Sequence, residues 1–224
     1  AEYSFINARL AKHYGIQGVS GDDLRKVSLK GTGRRGILTH GSILSITSNP
    51  TRTSPVKRGK WILDNILGTP PPEPPPGVGQ LEDNARLEGT FRQRLEQHRK
   101  DPNCASCHAL MDPLGIAFEN FDAVGRWRDL EEGQAIDSSG ELVSGERFNN
   151  HEEFQQVLSA KKRSDFLRCV SSRYPDCFRK ESVSDQVTNC RFPFGRPVSP
   201  LIIRSVLLSP LLVVGAELFY QGLG

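Results

Sequence analysis

Apolar residues recur at helical spacing in short blocks along the chain, which predicts a mainly α fold. In residues 3–14, Phe5 or Ile6, Leu10 and Tyr14 share one face, with Ser4 a candidate N-cap and Gly15 a stop. Residues 15–33 are Gly-rich, with a short strand expected over 24–29. Residues 36–47 suit helix or strand, and a short buried helix is favoured because the segment runs compactly into the next. The turn-rich stretch 48–55 ends in Ser54-Pro55, a cap followed by a proline whose missing N–H costs nothing at the first helical position. The helix predicted there carries Val56, Ile62, Leu63, Ile66 and Leu67 to a C-cap at Gly68.

Residues 69–79 break the pattern. Their proline density predicts a stiff polyproline II spacer of roughly 20–30 Å, laid as a strap over the surface rather than buried. A docking segment for a proline-binding module is the alternative. From Thr90 the helical stripe resumes with Phe91, Leu95 and His98, until Asp101-Pro102-Asn103 ends it. Residues 137–145 read as a hairpin, and two helices are expected over 150–160 and 164–170, the first with Phe154, Val157 and Leu158 inward.

Between these blocks stands Cys104-Ala105-Ser106-Cys107-His108, the spacing of covalent c-type haem attachment. On one helical turn both sulfurs reach the vinyl-derived carbons of a porphyrin, and the adjacent imidazole becomes the proximal iron ligand. Asn103 is placed to cap this turn. Leu114, Ile116, Phe118, Phe121, Val124 and Trp127 follow as a dense apolar set, fit to wall a porphyrin or to make a core. For the sixth iron position His98 is the leading candidate, with a hydrogen-bonded core histidine as its bland counterpart. His40 comes next, in an apolar segment. Met111, three residues past His108, is expected to pack, and His13 and His151 to be ordinary exposed side chains. A five-coordinate iron stays open.

Charge and composition add limits. A net charge of +3 gives no argument for nucleic acid. No run is long and apolar enough for a membrane span, since residues 201–218 are interrupted by Arg204, Pro210 and Glu217. Lys57, Arg58 and Lys60 crowd the wrong end of their helix for its dipole, so a solvated basic face is expected, or an anion offsetting the cost. With Arg52 they are also candidates to pair haem propionates. Cys169, Cys177 and Cys190 are left over as one disulfide plus a thiol, or as three thiols. Ala1 opens no signal-like segment, so either a signal has been removed or the chain is a piece of a longer one.

Several strings resemble one family: Arg34 to Leu38, Ser48 to Trp61, Leu67 to Pro72, and His98 through Trp127. They look like the planctomycete-type cytochrome c domain, found near the C-terminus of large exported bacterial proteins of unassigned function. The resemblance runs from about residue 3 to 130, so residues 1–130 are taken as one domain, leaving 131–224 as a small C-terminal domain that is family-like to about 170. It implies haem c, a periplasmic or cell-envelope location, and a redox partner protein or neighbouring domains of a longer chain. It implies no reaction. Beyond Val170 the family continues as a Leu-Thr-Tyr-Ala-Leu-Gly-Arg helix, where this chain has Ser171-Ser172-Arg173-Tyr174-Pro175. A one-base shift of the reading frame from about residue 171 accounts for the departure, and resequencing that stretch tests it.

Three functions follow as expectations. Electron transfer through one covalent haem held by Cys104, Cys107 and His108 leads. A haem-based redox enzyme, peroxidase-like or oxygen-activating, is the second. A structural zinc or interaction domain using Cys104, Cys107, His108 and His98 is the third, disfavoured because adjacent Cys and His reach one tetrahedral metal awkwardly.

Overall fold

The computed structural model describes residues 2–73, 90–100 and 102–173, without the side chains of 91, 102 and 103. The fold is mainly helical, with three small antiparallel strand pairs among the described residues. These residues group into two compact units, 2–43 with 167–173, and 44–166.

In the first unit, β1 (Tyr3–Ile6) pairs antiparallel with β2 (Arg25–Ser28), Tyr3 opposite Ser28. The helix predicted over 3–14 therefore begins only at α1 (Ala8–Tyr14). Its cap is Asn7 rather than Ser4, and the Asn7 side chain accepts the Leu10 N–H at 3.0 Å. The reason is the burial alternation in β1, where Ser4 and Ile6 turn inward against a partner strand. Gly15 ends α1 at φ 72°, as expected of a left-handed C-cap. A 3-10 turn (Ile37–Thr39) and α2 (Gly41–Ile46) bear out the helical reading of 36–47. Arg34 is buried, its Nη1 donating to the Thr39 carbonyl at 2.8 Å and its guanidinium 3.9 Å over the Tyr14 ring.

The second unit is built on α3 (Pro55–Ile62) and α5 (Pro102–Ile116). Ser54 caps α3 with Pro55 behind it, and a π-helical turn (Leu63–Leu67) carries the chain to Gly68 at φ 64°. Helices α3 and α5 approach until backbone meets backbone. A β-carbon on Gly59 would stand 1.9 Å from the Met111 carbonyl oxygen, and one on Gly115 would stand 1.8 Å from that of Pro55. Glycine at both points is what lets the helices lie this close. Between them α4 (Phe91–His98) opens with a capping box of Thr90 and Gln93, and Leu95 packs with Ile116 and Val56.

Helix α5 starts at Pro102, so Asn103 lies within it instead of capping it, because proline suits the first helical turn. After α5 the chain makes two small hairpins. In β3 (Leu130–Glu131) and β4 (Gln134–Ala135), Glu132 at φ 49° and Gly133 at φ 80° form the two-residue connection. The hairpin expected over 137–145 extends further, with β5 (Gly140–Glu141) pairing to β6 (Arg147–Phe148). Asn150 caps α6 (His151–Lys161), which buries Phe154 and Leu158, and α7 (Arg163–Arg173) follows with Cys169 buried. Most of the Pro-rich strap, Cys177, Cys190 and the aberrant tail lie outside the described residues. Among those described, no helix is long and apolar enough to cross a membrane.

Candidate functional site

Cys104, Cys107 and His108 all stand on α5, the two thiols three positions apart and the imidazole next in line. Each of the three is partly buried, and neither sulfur is in a disulfide. The helix is pinned just beyond them by the Met111 backbone against Gly59, so the motif sits on a rigid element. Met111 itself is buried, as expected of a packing residue.

One residue that the sequence reading passed over belongs to this site. Asp112, fully buried at 0% exposure, places Oδ1 2.9 Å from the His108 Nδ1. A carboxylate can only accept, so Nδ1 is the donor of this pair and Nε2 is the ring nitrogen left for a metal. A ring held in this way by Nδ1 is oriented as an Nε2 iron ligand needs. The signal was present as the i, i+4 spacing of His108 and Asp112, which puts both on one helical face. The second carboxylate oxygen lies 3.9 Å from the Arg99 guanidinium. With two thiols on one turn and a histidine presenting a fixed Nε2, the residues fit a covalently attached haem.

His98 lies beside His108, the ring centroids 4.9 Å apart and the planes at 75°. Two imidazoles ligating one iron from opposite faces need centroids more than about 6 Å apart, given metal–nitrogen bonds of about 2 Å. In the described arrangement the two rings are in edge contact, and α4 must shift before His98 can act as a distal ligand. His40 belongs to the first unit, where its Nε2 lies 3.4 Å from the Ser4 Oγ. Burial first, and Arg34 second, push its pKa down to about 4.

Other expectations are corrected. His151 is buried at 3% exposure, not exposed, with the Phe121 and Trp127 rings 5.1 and 5.5 Å from its own. Val124 and Trp127 are about half exposed, and the Trp127 ring packs its inner side against Phe121 and His151. The basic run of α3 is not a uniform solvated face. Arg58 is 2% exposed, its Nη1 donating to the carbonyls of Phe118 at 2.8 Å and Phe121 at 3.0 Å, and its Nη2 to that of Asp122 at 2.9 Å. Glu119 stands 3.4 Å from the same guanidinium and also accepts from Thr53 and Arg128, both at 2.8 Å. Burial draws Arg58 down to about 10 against the pull of Glu119, and burial likewise lifts Glu119 while Arg58 opposes the rise. Lys60 pairs with Asp64 at 2.7 Å and Lys57 donates to Asn49. Arg58 thus clamps the turn after α5 and is not available to a propionate.

Residues 34–131 match the family described as PSCyt3, protein of unknown function (DUF1588). The matched span takes in α3, α4 and α5, with every string that suggested a cytochrome-associated domain. No curated protein and no solved structure matches the chain.

Proposed function

We propose that this chain attaches one haem c through thioethers to Cys104 and Cys107, with His108 as proximal ligand, and serves electron transfer in an exported protein of the bacterial cell envelope. The observation that carries the reading is the donor set on α5: two thiols on one turn, followed by a histidine whose Nδ1 is held by Asp112. When bound, the haem supplies a one-electron Fe(III)/Fe(II) couple. The protein's part is to hold the ring on a helix fixed by the Gly59 and Gly115 contacts and to orient His108. Its electron donor and acceptor are a redox partner protein or neighbouring domains of a longer chain.

Expression with haem-maturation machinery, followed by a pyridine haemochrome spectrum and haem staining after denaturation, tests this. Covalent c-type bands are expected. A soluble, folded chain lacking them under those conditions would falsify it. The edge contact of His98 with His108 favours a second reading, an open sixth position and a haem-based redox enzyme. Binding of carbon monoxide to the reduced native protein separates the two. For the zinc alternative there is no support among the described residues, where no group of three or more His, Cys, Asp or Glu is arranged to hold a metal ion.

A further inference from the structure

We infer that Asp112 is a positioning residue that sets the strength of His108 as an electron donor and so holds the haem's reduction potential down. The inference rests on the haem reading above and goes beyond it, from whether a haem is held to how it is tuned. The observation is the pairing of His108 Nδ1 with Asp112 Oδ1 at 2.9 Å, by a carboxylate with no exposed surface. A hydrogen bond from a ligating imidazole to a carboxylate makes the other ring nitrogen more basic, whereas a neutral acceptor does so far less. Greater donation stabilises Fe(III) over Fe(II), and second-shell hydrogen bonding of this kind is one of the protein's levers on haem potential.

Three features of the fold turn the pair into a fixed setting rather than a passing contact. His108 and Asp112 are i and i+4 on one helix, so their spacing is set by helical geometry itself. Met111, between them, is held by its backbone against Gly59. Burial removes the water that would otherwise compete for the carboxylate and weaken the bond. Among the described residues the Arg99 guanidinium also borders the carboxylate, 3.9 Å from Oδ2. That distance is too long for a full hydrogen bond, so Arg99 tempers the carboxylate without neutralising it. The cost of burying Asp112 is thereby directed at a single partner, the imidazole.

The test uses the full chain loaded with haem, compared with Asp112→Asn and Arg99→Gln. Potentials come from spectroelectrochemical titration, and pyridine haemochromes verify attachment in each. Asp112→Asn keeps an acceptor of the same shape and removes the charge. It is expected to shift the Fe(III)/Fe(II) equilibrium about tenfold toward Fe(II), which is about +59 mV for a one-electron couple. Arg99→Gln is expected to shift it the opposite way by a smaller factor. In the ferric protein, the hyperfine-shifted His108 Nδ1–H line is expected to exchange with solvent faster in Asp112→Asn, an effect a merely nearby charge does not produce. Haem-loaded Asp112→Asn with unchanged potential and unchanged exchange overturns the inference and leaves the haem reading standing. Should Asp112→Asn fail to load, Arg99→Gln decides alone, and an unmoved or raised potential there overturns it. A wild-type chain that takes up no haem removes the reading beneath and this inference with it.

Discussion

Gly59 of α3 and Gly115 of α5 face each other's helix in a reciprocal contact, each with only hydrogen where a β-carbon would strike a carbonyl oxygen within 2 Å. This contact fixes the height of α5 and with it the position of Cys104, Cys107 and His108. Gly59→Ala and Gly115→Ala are expected to force the helices apart, at about 1–3 kcal/mol or more each, as for other overpacked sites. Urea unfolding measures it. Midpoints equal to that of the wild type would show that the helices do not depend on the contact.

Arg58 shows what the chain's pattern conceals. In sequence it belongs to a basic run, and such runs are usually solvated; its partners, Phe118 to Asp122, lie some sixty residues on. A charge is read from one residue, but burial depends on what the fold brings over it. The same holds for His151, whose aromatic cage comes from residues before it in the chain, and for the Gly59 and Gly115 contact, which exists only once two helices cross. Features set by neighbours in sequence are legible without the fold: the Ser54 cap, Pro55 behind it, the Gly15 and Gly68 stops, and the spacing of the cysteines and His108. Residues 3–6 misled because a four-residue strand and the first turn of an amphipathic helix carry similar apolar content. Asp112 falls on the face of His108 only because α5 runs unbroken through Pro113 to Ile116, which keeps the i, i+4 spacing helical.

Replacing Arg58 with Met is expected to destabilise the protein by about 3–5 kcal/mol, the cost of breaking a buried ion pair from one side. Three backbone carbonyls lose their donor, while Glu119 retains Arg128 and Thr53. Arg58→Lys is expected to recover little, because an ammonium cannot reproduce the fork that spans Phe118, Phe121 and Asp122. Thermal or urea unfolding of the two variants checks both points. Wild-type stability in Arg58→Met would mean that the clamp is dispensable.

His40 gives the first unit a defined pH dependence. Its pKa is about 4 in the folded chain against 6.5 unfolded, because burial disfavours the charged ring and Arg34 opposes it. Between those values the unfolded chain binds a proton that the folded chain refuses, so unfolding becomes easier as pH falls. The stability is fully present above about pH 6.5 and lost as the solution approaches pH 4, amounting to about 3 kcal/mol. Hydrogen exchange of β1 and β2 amides across that range is expected to accelerate toward low pH, and His40→Asn to flatten the response. A profile indifferent to that substitution would place the acid sensitivity elsewhere.

The two thiols make separable predictions about attachment. Cys104 and Cys107 sit three positions apart on one side of α5, so each is expected to consume one vinyl group of the porphyrin. Every thioether formed removes a vinyl from conjugation with the ring, and the haemochrome band moves accordingly. Cys104→Ala and Cys107→Ala are therefore each expected to give a band intermediate between those of haem c and unattached haem, with haem still retained after denaturation. The double variant is expected to lose all haem on denaturation. Since His108 and Asp112 are untouched in that variant, it tests attachment apart from ligation. Retention of haem after denaturation of the double variant would point to another nucleophile, and would remove the two cysteines from the site.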